Sequence, residues 1–202
     1  MASVRSATRT GPLRPVAETL ALMAAVSAAF WVVGLLARPL AAFLFVLSAP
    51  TVVQPWTLVT SVYAHAGVGH LLSNAVVVVV AGVPVAASTT RARFHGFVLA
   101  TGALAGLAQV WLGGLLVPTG VVGISGAAFA LVGYVAAANP AADALGRAAR
   151  RLDVSPRVLV VAVGGLALAV TVVFSPAGSA LIAHFVGLLL GVGAGRARLL
   201  RV

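Results

Sequence analysis

The sequence predicts an all-α membrane protein in which six transmembrane helices form one bundle and the first loop associates with the membrane. Its composition points to lipid as the solvent: hydrophobic residues make up 61% of the 202 residues, charged residues 8%, and the mean hydropathy is +1.14. Such values lie outside the range of soluble domains. The apolar residues also fall into six segments, each long enough or nearly so to cross a hydrocarbon core of about 30 Å. These segments are 16–36, 68–87, 94–116, 120–138, 158–174 and 178–194.

The breaks between the later segments contain helix-ending residues. Asn139-Pro140 ends the fourth segment, Ser155-Pro156 precedes the fifth, and Ser175-Pro176 with Gly178 predicts a short turn before the sixth. Residues 40–53 are apolar but too few for a span, and Pro50 interrupts them. We therefore expect an interfacial or re-entrant first loop.

The distribution of arginine predicts the topology. With six spans and the N-terminus inside, twelve of the thirteen arginines are cytoplasmic and only Arg38 is outside, as the positive-inside rule requires. A seventh span would place most of them outside. We expect a multi-pass protein of a prokaryotic plasma membrane, with a disordered cytoplasmic tail at 1–15, a helical domain at 16–195 and a basic cytoplasmic tail at 196–202. The arginines form no patch interleaved with aromatic residues, which argues against nucleic-acid binding.

Two polar residues lie inside strongly apolar segments. Because polar side chains are costly to keep in lipid, both residues are candidates for a functional site. Ser125 lies in Gly123-Ile124-Ser125-Gly126, and His184 lies near the start of the sixth segment. The topology puts both residues, with His70 and Asn74, within about 10 Å of the outer surface. They can therefore converge in one polar pocket.

The acidic residues limit what this pocket can do. The chain has only Glu18, Asp143 and Asp153, and the topology places all three at or beyond the cytoplasmic edge. This excludes a metalloprotease with a glutamate base, a carboxylate dyad and a complete Ser-His-Asp triad. The absence of cysteine excludes thiol catalysis. A serine nucleophile with a histidine base remains possible.

The neighbouring residues support such a dyad. His70 and Asn74 are four residues apart on one helix face, and both can donate hydrogen bonds to an oxyanion. Gly123 and Gly126 allow the backbone to approach closely at Ser125. Gly187 and Gly191 form a Gly-x-x-x-Gly face for close helix packing. His65 is interpreted as a structural residue that holds the first loop, and His95 as an interfacial residue.

Taken together, these motifs resemble the rhomboid family of intramembrane serine proteases. The resemblance covers His70-x-x-x-Asn74, Gly123-x-Ser125-Gly126 and Ala183-His184-x-x-Gly187-x-x-x-Gly191, in the family's order and on the expected helices. It implies that Ser125 is the nucleophile and that His184 is the base and then the acid. It further implies that His70, Asn74 and the Ser125 N–H hold the oxyanion, and that Phe129 stacks on the histidine. Trp56-Thr57 departs from the family's frequent Trp-Arg.

The resemblance implies that the substrates are transmembrane segments of other proteins, cut near the outer face. It also implies that the helix of the fifth segment (158–174) and the loop that follows it are gate elements. Two alternatives remain: a catalytically inactive rhomboid-like protein that binds transmembrane segments, and a small transporter. Nothing in the sequence indicates a metal or organic cofactor, and the expected partners are the lipid bilayer and substrate helices.

Overall fold

The computed structural model describes residues 11, 13–115 and 120–201, which are helical apart from short connections. The helices in this part of the chain are α1 (Leu13–Leu36), α2 (Arg38–Phe45), α3 (Thr57–Tyr63), α4 (Val68–Ala86), α5 (Arg91–Ala108), α6 (Ser125–Ala137), α7 (Pro140–Arg151), α8 (Pro156–Phe174) and α9 (Leu181–Arg196). A 3₁₀ turn covers Thr51–Val53, and a π-helical turn, Gln109–Gly113, extends α5.

Six of these helices occupy the six predicted apolar segments. Helices α1, α4, α8 and α5 with its π-helical turn are long and apolar enough to cross a membrane. Helices α6 and α9 are shorter, with 13 and 16 residues, and α7 bends away from α6 by 62°. An α6 of about 20 Å is shorter than a hydrocarbon core, so it does not cross the full thickness by itself.

The fourth and sixth segments begin later than predicted. Helix α6 starts at Ser125 rather than at residue 120, because the residues before it are not helical and Val121 forms a bridge with Leu47 of the first loop. Leu47 and Val121 exchange backbone hydrogen bonds of 3.0 and 2.9 Å. Helix α9 starts at Leu181 rather than at residue 178, since the turn after α8 is longer than expected. Hydropathy cannot distinguish apolar extended backbone from apolar helix.

The first loop contains the two short helices α2 and α3, with side chains that tie them together. The Trp56 indole donates a 3.1 Å hydrogen bond to the Phe43 carbonyl, and its ring contacts the Phe43 ring edge-on at 5.0 Å. The Thr60 hydroxyl donates to the Leu44 carbonyl at 2.6 Å. These bonds hold the C-terminal end of α2 against the start of α3. They do not involve Thr57, the position at which the sequence departs from Trp-Arg.

Helix α6 lies at the centre of the bundle and packs most closely on α9. A Cβ at Gly187 would collide with the Gly126 carbonyl oxygen, and one at Gly191 would collide with the Ala130 carbonyl oxygen. The two backbones are therefore in direct contact along the Gly-x-x-x-Gly face, as small residues permit. This contact fixes α9 relative to Ser125.

Most charged side chains lie at the end of the bundle opposite Ser125. We call this end, which carries the ion pairs of Glu18 and Asp143 with arginines, the arginine-rich end. Glu18 of α1 accepts hydrogen bonds from Arg14, Arg91 and His95 at 3.0, 2.7 and 2.9 Å, which joins α1 to α5. His95 therefore contributes an inter-helix contact beyond the interfacial position expected of it.

Both predicted tails can be compared with the structure near the ends of the chain. Asp143 pairs with Arg196 and Arg198. Arg201 donates to the Ala138 carbonyl at 2.7 Å, and Leu200 is buried, so residues 196–201 of the predicted C-terminal tail pack on the bundle, and residue 202 lies outside the described residues. At the other end α1 already begins at Leu13, three residues before the predicted boundary, and residues 1–10 and 12 of that predicted tail lie outside the described residues.

Candidate active site

Ser125 is the first residue of α6, and the loop before it places it at the wall of a cavity. Gly123 has a φ of +123°, a conformation that side chains rarely adopt, and its N–H donates to the Ser61 carbonyl at 2.8 Å. A Cβ at Gly123 would lie 2.7 Å from the His70 ring. Glycine here permits both the turn into α6 and the approach of His70.

His184 lies in the first turn of α9 and contacts Ser125 directly. The distance from Ser125 Oγ to His184 Nε2 is 2.9 Å, a normal hydrogen-bond length. The Phe129 ring, one turn after Ser125, stacks on the imidazole with centroids 4.5 Å apart and planes within 9°. The histidine is 5% exposed, so packing and hydrogen bonding together set its orientation.

The second ring nitrogen of His184 also has a partner. Ser175, the residue after α8, places its Oγ 2.7 Å from His184 Nδ1. No sequence motif marks Ser175 as part of the site, because Ser175-Pro176 indicates only a turn. The contact depends on how that turn folds back onto α9.

His70 and Asn74 lie on α4 and face the same cavity as Ser125 and His184. One N–H of the Asn74 amide donates to the His70 carbonyl at 2.9 Å, which leaves its second N–H for another acceptor. The N–H of Ser125 belongs to the first turn of α6, where no helical carbonyl is available to it. The His70 ring, the Asn74 amide and the start of α6 therefore line one cavity together with the Ser125 hydroxyl.

The cavity has a volume of about 660 Å³ and is open on one side. It lies between α4, the extended residues before α6 and the turn after α8, and its wall includes Val77, Val122, Phe174, Pro176 and Ala180. Among the described residues that line it, none is acidic, and Glu18 and Asp143 pair with arginines at the arginine-rich end. Within the described residues no group of three His or acidic side chains converges as metal ligands would.

Gln109, in the π-helical turn after α5, holds the start of α9. Its Oε1 accepts hydrogen bonds from the N–H groups of Ile182 and Ala183 at 3.1 and 3.2 Å. These are orphan donors of the first turn of α9, directly before His184. A lone glutamine in an apolar segment offers no sequence signal for this contact, because its partners lie more than 70 residues away.

A second serine–histidine pair lies apart from the cavity. Ser27 Oγ is 3.1 Å from His65 Nδ1, and both residues are fully buried. The same Nδ1 is 3.0 Å from the Tyr63 carbonyl, which can only accept, so Nδ1 carries a proton and cannot serve as a base for Ser27. Burial, with the nearby His70 as a lesser cause, lowers the pKa of His65 to about 4. The pair therefore holds the first loop against α1, which supports the structural interpretation of His65.

The comparisons with known proteins agree with this architecture. The family model described as Rhomboid domain matches residues 52–201, which include α3 to α9 and all three sequence motifs. No curated protein matches the chain.

Proposed function

The chain belongs to the rhomboid family, and on that premise we propose that it is an intramembrane serine endopeptidase. It cleaves transmembrane segments of other membrane proteins with a dyad of Ser125 and His184. The observation that carries the proposal is the 2.9 Å contact between Ser125 Oγ and His184 Nε2 at the wall of a cavity without carboxylates. Serine proteolysis needs a hydroxyl and a base in this geometry.

The proposed reaction begins with attack of Ser125 Oγ on the scissile carbonyl carbon while His184 Nε2 takes the hydroxyl proton. The side chains of His70 and Asn74 and the N–H of Ser125 stabilise the oxyanion. His184 then returns the proton to the leaving amine, which gives an acyl-enzyme on Ser125. A water, deprotonated by His184, hydrolyses this ester and regenerates the serine.

The position of the dyad determines which part of a substrate it can reach. Ser125 and His184 lie in the first turns of α6 and α9, at the opposite end of the bundle from the arginine-rich end. We place the arginine-rich end in the cytoplasm, following the positive-inside rule. Cleavage then occurs near the outer face. Because helical carbonyls are hydrogen-bonded, the cut segment must unwind locally, which favours small residues and helix breakers there.

A test of this function combines labelling with cleavage. The purified protein in detergent is treated with a fluorescent fluorophosphonate, and proteoliposomes are given a single-span substrate that carries a helix breaker near its outer end. We expect wild type to be labelled and to cleave, and Ser125→Ala and His184→Ala to do neither. Ser27→Ala is the matched control, because it alters the other serine–histidine pair, and we expect it to retain both activities.

Two results would contradict the proposal. Labelling or cleavage that persists in Ser125→Ala excludes Ser125 as the nucleophile. Binding of the substrate by wild type without cleavage or labelling would instead indicate a non-catalytic rhomboid-like binder. Transport is disfavoured because the polar groups of the cavity cluster at one end of the bundle rather than along its depth.

A further inference from the structure

We propose that Ser175 is the positioning residue of His184, so that a chain of hydrogen bonds runs from Ser125 through the imidazole to Ser175. This inference rests on the proposed protease function, in which His184 is the base. Its geometric support is the 2.7 Å separation between Ser175 Oγ and His184 Nδ1, on the side of the ring opposite Ser125.

The position of the proton on the His184 ring determines whether Ser175 Oγ donates or accepts in its hydrogen bond with Nδ1. For Nε2 to accept the proton of Ser125, the neutral ring must carry its own proton on Nδ1. Ser175 Oγ then accepts a hydrogen bond from Nδ1–H, and it still accepts when the ring becomes an imidazolium. In Ser-His-Asp enzymes a carboxylate fixes the tautomer of the base in this way. Here a neutral hydroxyl, which can accept from Nδ1–H, occupies that position, and none of the described residues that line the cavity is acidic.

The other contacts of His184 do not select the tautomer. Phe129 stacks nearly parallel to the imidazole, and a parallel stack fixes the plane of the ring but not which nitrogen is protonated. A ring rotated by 180° about its Cβ–Cγ bond occupies the same plane and would stack equally well. Of the contacts that the structure gives to the ring on its Nδ1 side, the Ser175 hydroxyl is directional: it disfavours the flipped ring, which would present a carbon there, and it can accept from Nδ1–H in the tautomer that leaves Nε2 free for the Ser125 proton.

The location of Ser175 links this bond to the seating of α8. Ser175 follows the last residue of α8 in extended conformation, with φ −106° and ψ 122°. The buried residues of α8 are Ala167 and Thr171, whereas most of its other side chains are exposed. Displacement of the end of α8 from α9 would therefore remove the hydrogen-bond partner of Nδ1 and leave the ring without a directional contact on that side.

The kinetic test compares substitutions at the two ends of α8. Ser175→Ala removes the acceptor, and we expect kcat for a transmembrane substrate to fall about 10- to 100-fold with KM within about twofold. Ser175→Thr keeps a hydroxyl and should restore kcat to within about threefold of wild type. Ser155→Ala is the matched control, since Ser155 caps the other end of α8 by accepting from the Val158 N–H. It should leave kcat within about twofold.

The outcomes separate this inference from the proposed function. If Ser125→Ala abolishes cleavage but Ser175→Ala keeps kcat within threefold, the protease function stands and the positioning role is overturned. An equal loss in Ser175→Ala and Ser155→Ala also overturns it, because the effect would then come from general loosening of α8.

A spectroscopic measurement tests the tautomer without any need for activity. The chain has four histidines, so ¹⁵N-histidine spectra can be assigned to His184 with a His184→Gln variant. Above the titration range, wild type should show a protonated Nδ1 and an unprotonated Nε2. In Ser175→Ala we expect the two nitrogen signals to move toward each other as the tautomers mix. Unchanged signals in Ser175→Ala would overturn the proposal.

Discussion

Replacement of Gly187 by alanine tests whether contact between the backbones of α6 and α9 creates the dyad. The new Cβ would overlap the carbonyl oxygen of Gly126, which belongs to the backbone and cannot rotate away. Helix α9 must then shift by about 1 Å to restore a van der Waals distance. The Ser125 to His184 contact, now 2.9 Å, would lengthen beyond hydrogen-bond range.

The loss of stability and of rate in Gly187→Ala can both be estimated from this backbone contact. Overpacking of a close contact costs about 1–3 kcal/mol, and the upper half of this range applies because backbone rather than a side chain must move. A misplacement of about 1 Å at the reacting atoms lowers the rate by about 100-fold. We therefore expect Gly187→Ala to lower both the unfolding midpoint in detergent and kcat for a transmembrane substrate.

Gly193→Ala provides the matched control on the same helix. Nothing lies within 4 Å of a Cβ at Gly193, so alanine there only improves helix propensity and should leave stability and kcat at or slightly above wild type. Thermal unfolding and steady-state cleavage should be measured for both variants in one detergent. Equal values for Gly187→Ala and Gly193→Ala would refute the reasoning from close packing.

Three further predictions concern residues around the dyad. Phe129→Leu removes the ring stacked on His184 and should lower kcat about 3- to 10-fold, whereas Phe129→Tyr should retain it; the measurement is steady-state cleavage. Gln109→Ala removes the acceptor for two N–H groups of α9 and should lower the unfolding midpoint by the equivalent of about 1–3 kcal/mol, unlike Gln109→Glu, which keeps an acceptor oxygen. His65, with a folded pKa of about 4 against an unfolded value near 6.5, should stabilise the fold fully above pH 6.5 and progressively less toward pH 4. The loss amounts to about 3 kcal/mol, and the unfolding midpoint of His65→Asn should lack this part of the pH dependence.

The positions of Ser125, His184, His70 and Asn74 at one end of the bundle could be predicted from the sequence. Hydropathy and arginine placement give the direction of each segment, and residue spacing then gives the depth of each polar side chain. The Gly-x-x-x-Gly pattern at Gly187 predicts close packing for a similarly local reason, since one helix face presents no side chains.

The start of α6 and the interior of the first loop could not be predicted in this way. Residues 120–124 are as apolar as a helix, but Val121 pairs with Leu47 and the Gly123 N–H donates to the Ser61 carbonyl, so helix α6 begins only at Ser125. Those partners lie more than 60 residues earlier in the chain. Periodicity and composition report on local structure and carry no information about such pairings.

The sequence by itself determined the membrane environment, the family and the polar residues of the site, because these depend on composition and on spacing along single helices. Only the tertiary structure decided how His184 is held: Phe129 against its face, Ser175 on Nδ1, and Gln109 at the start of its helix. It also decided that Ser27 and His65, a second serine–histidine pair, hold the first loop and do not line the cavity at Ser125. The reason is physical. A hydrogen bond depends on the direction and distance between two atoms, and these are set where separate helices and turns pack together.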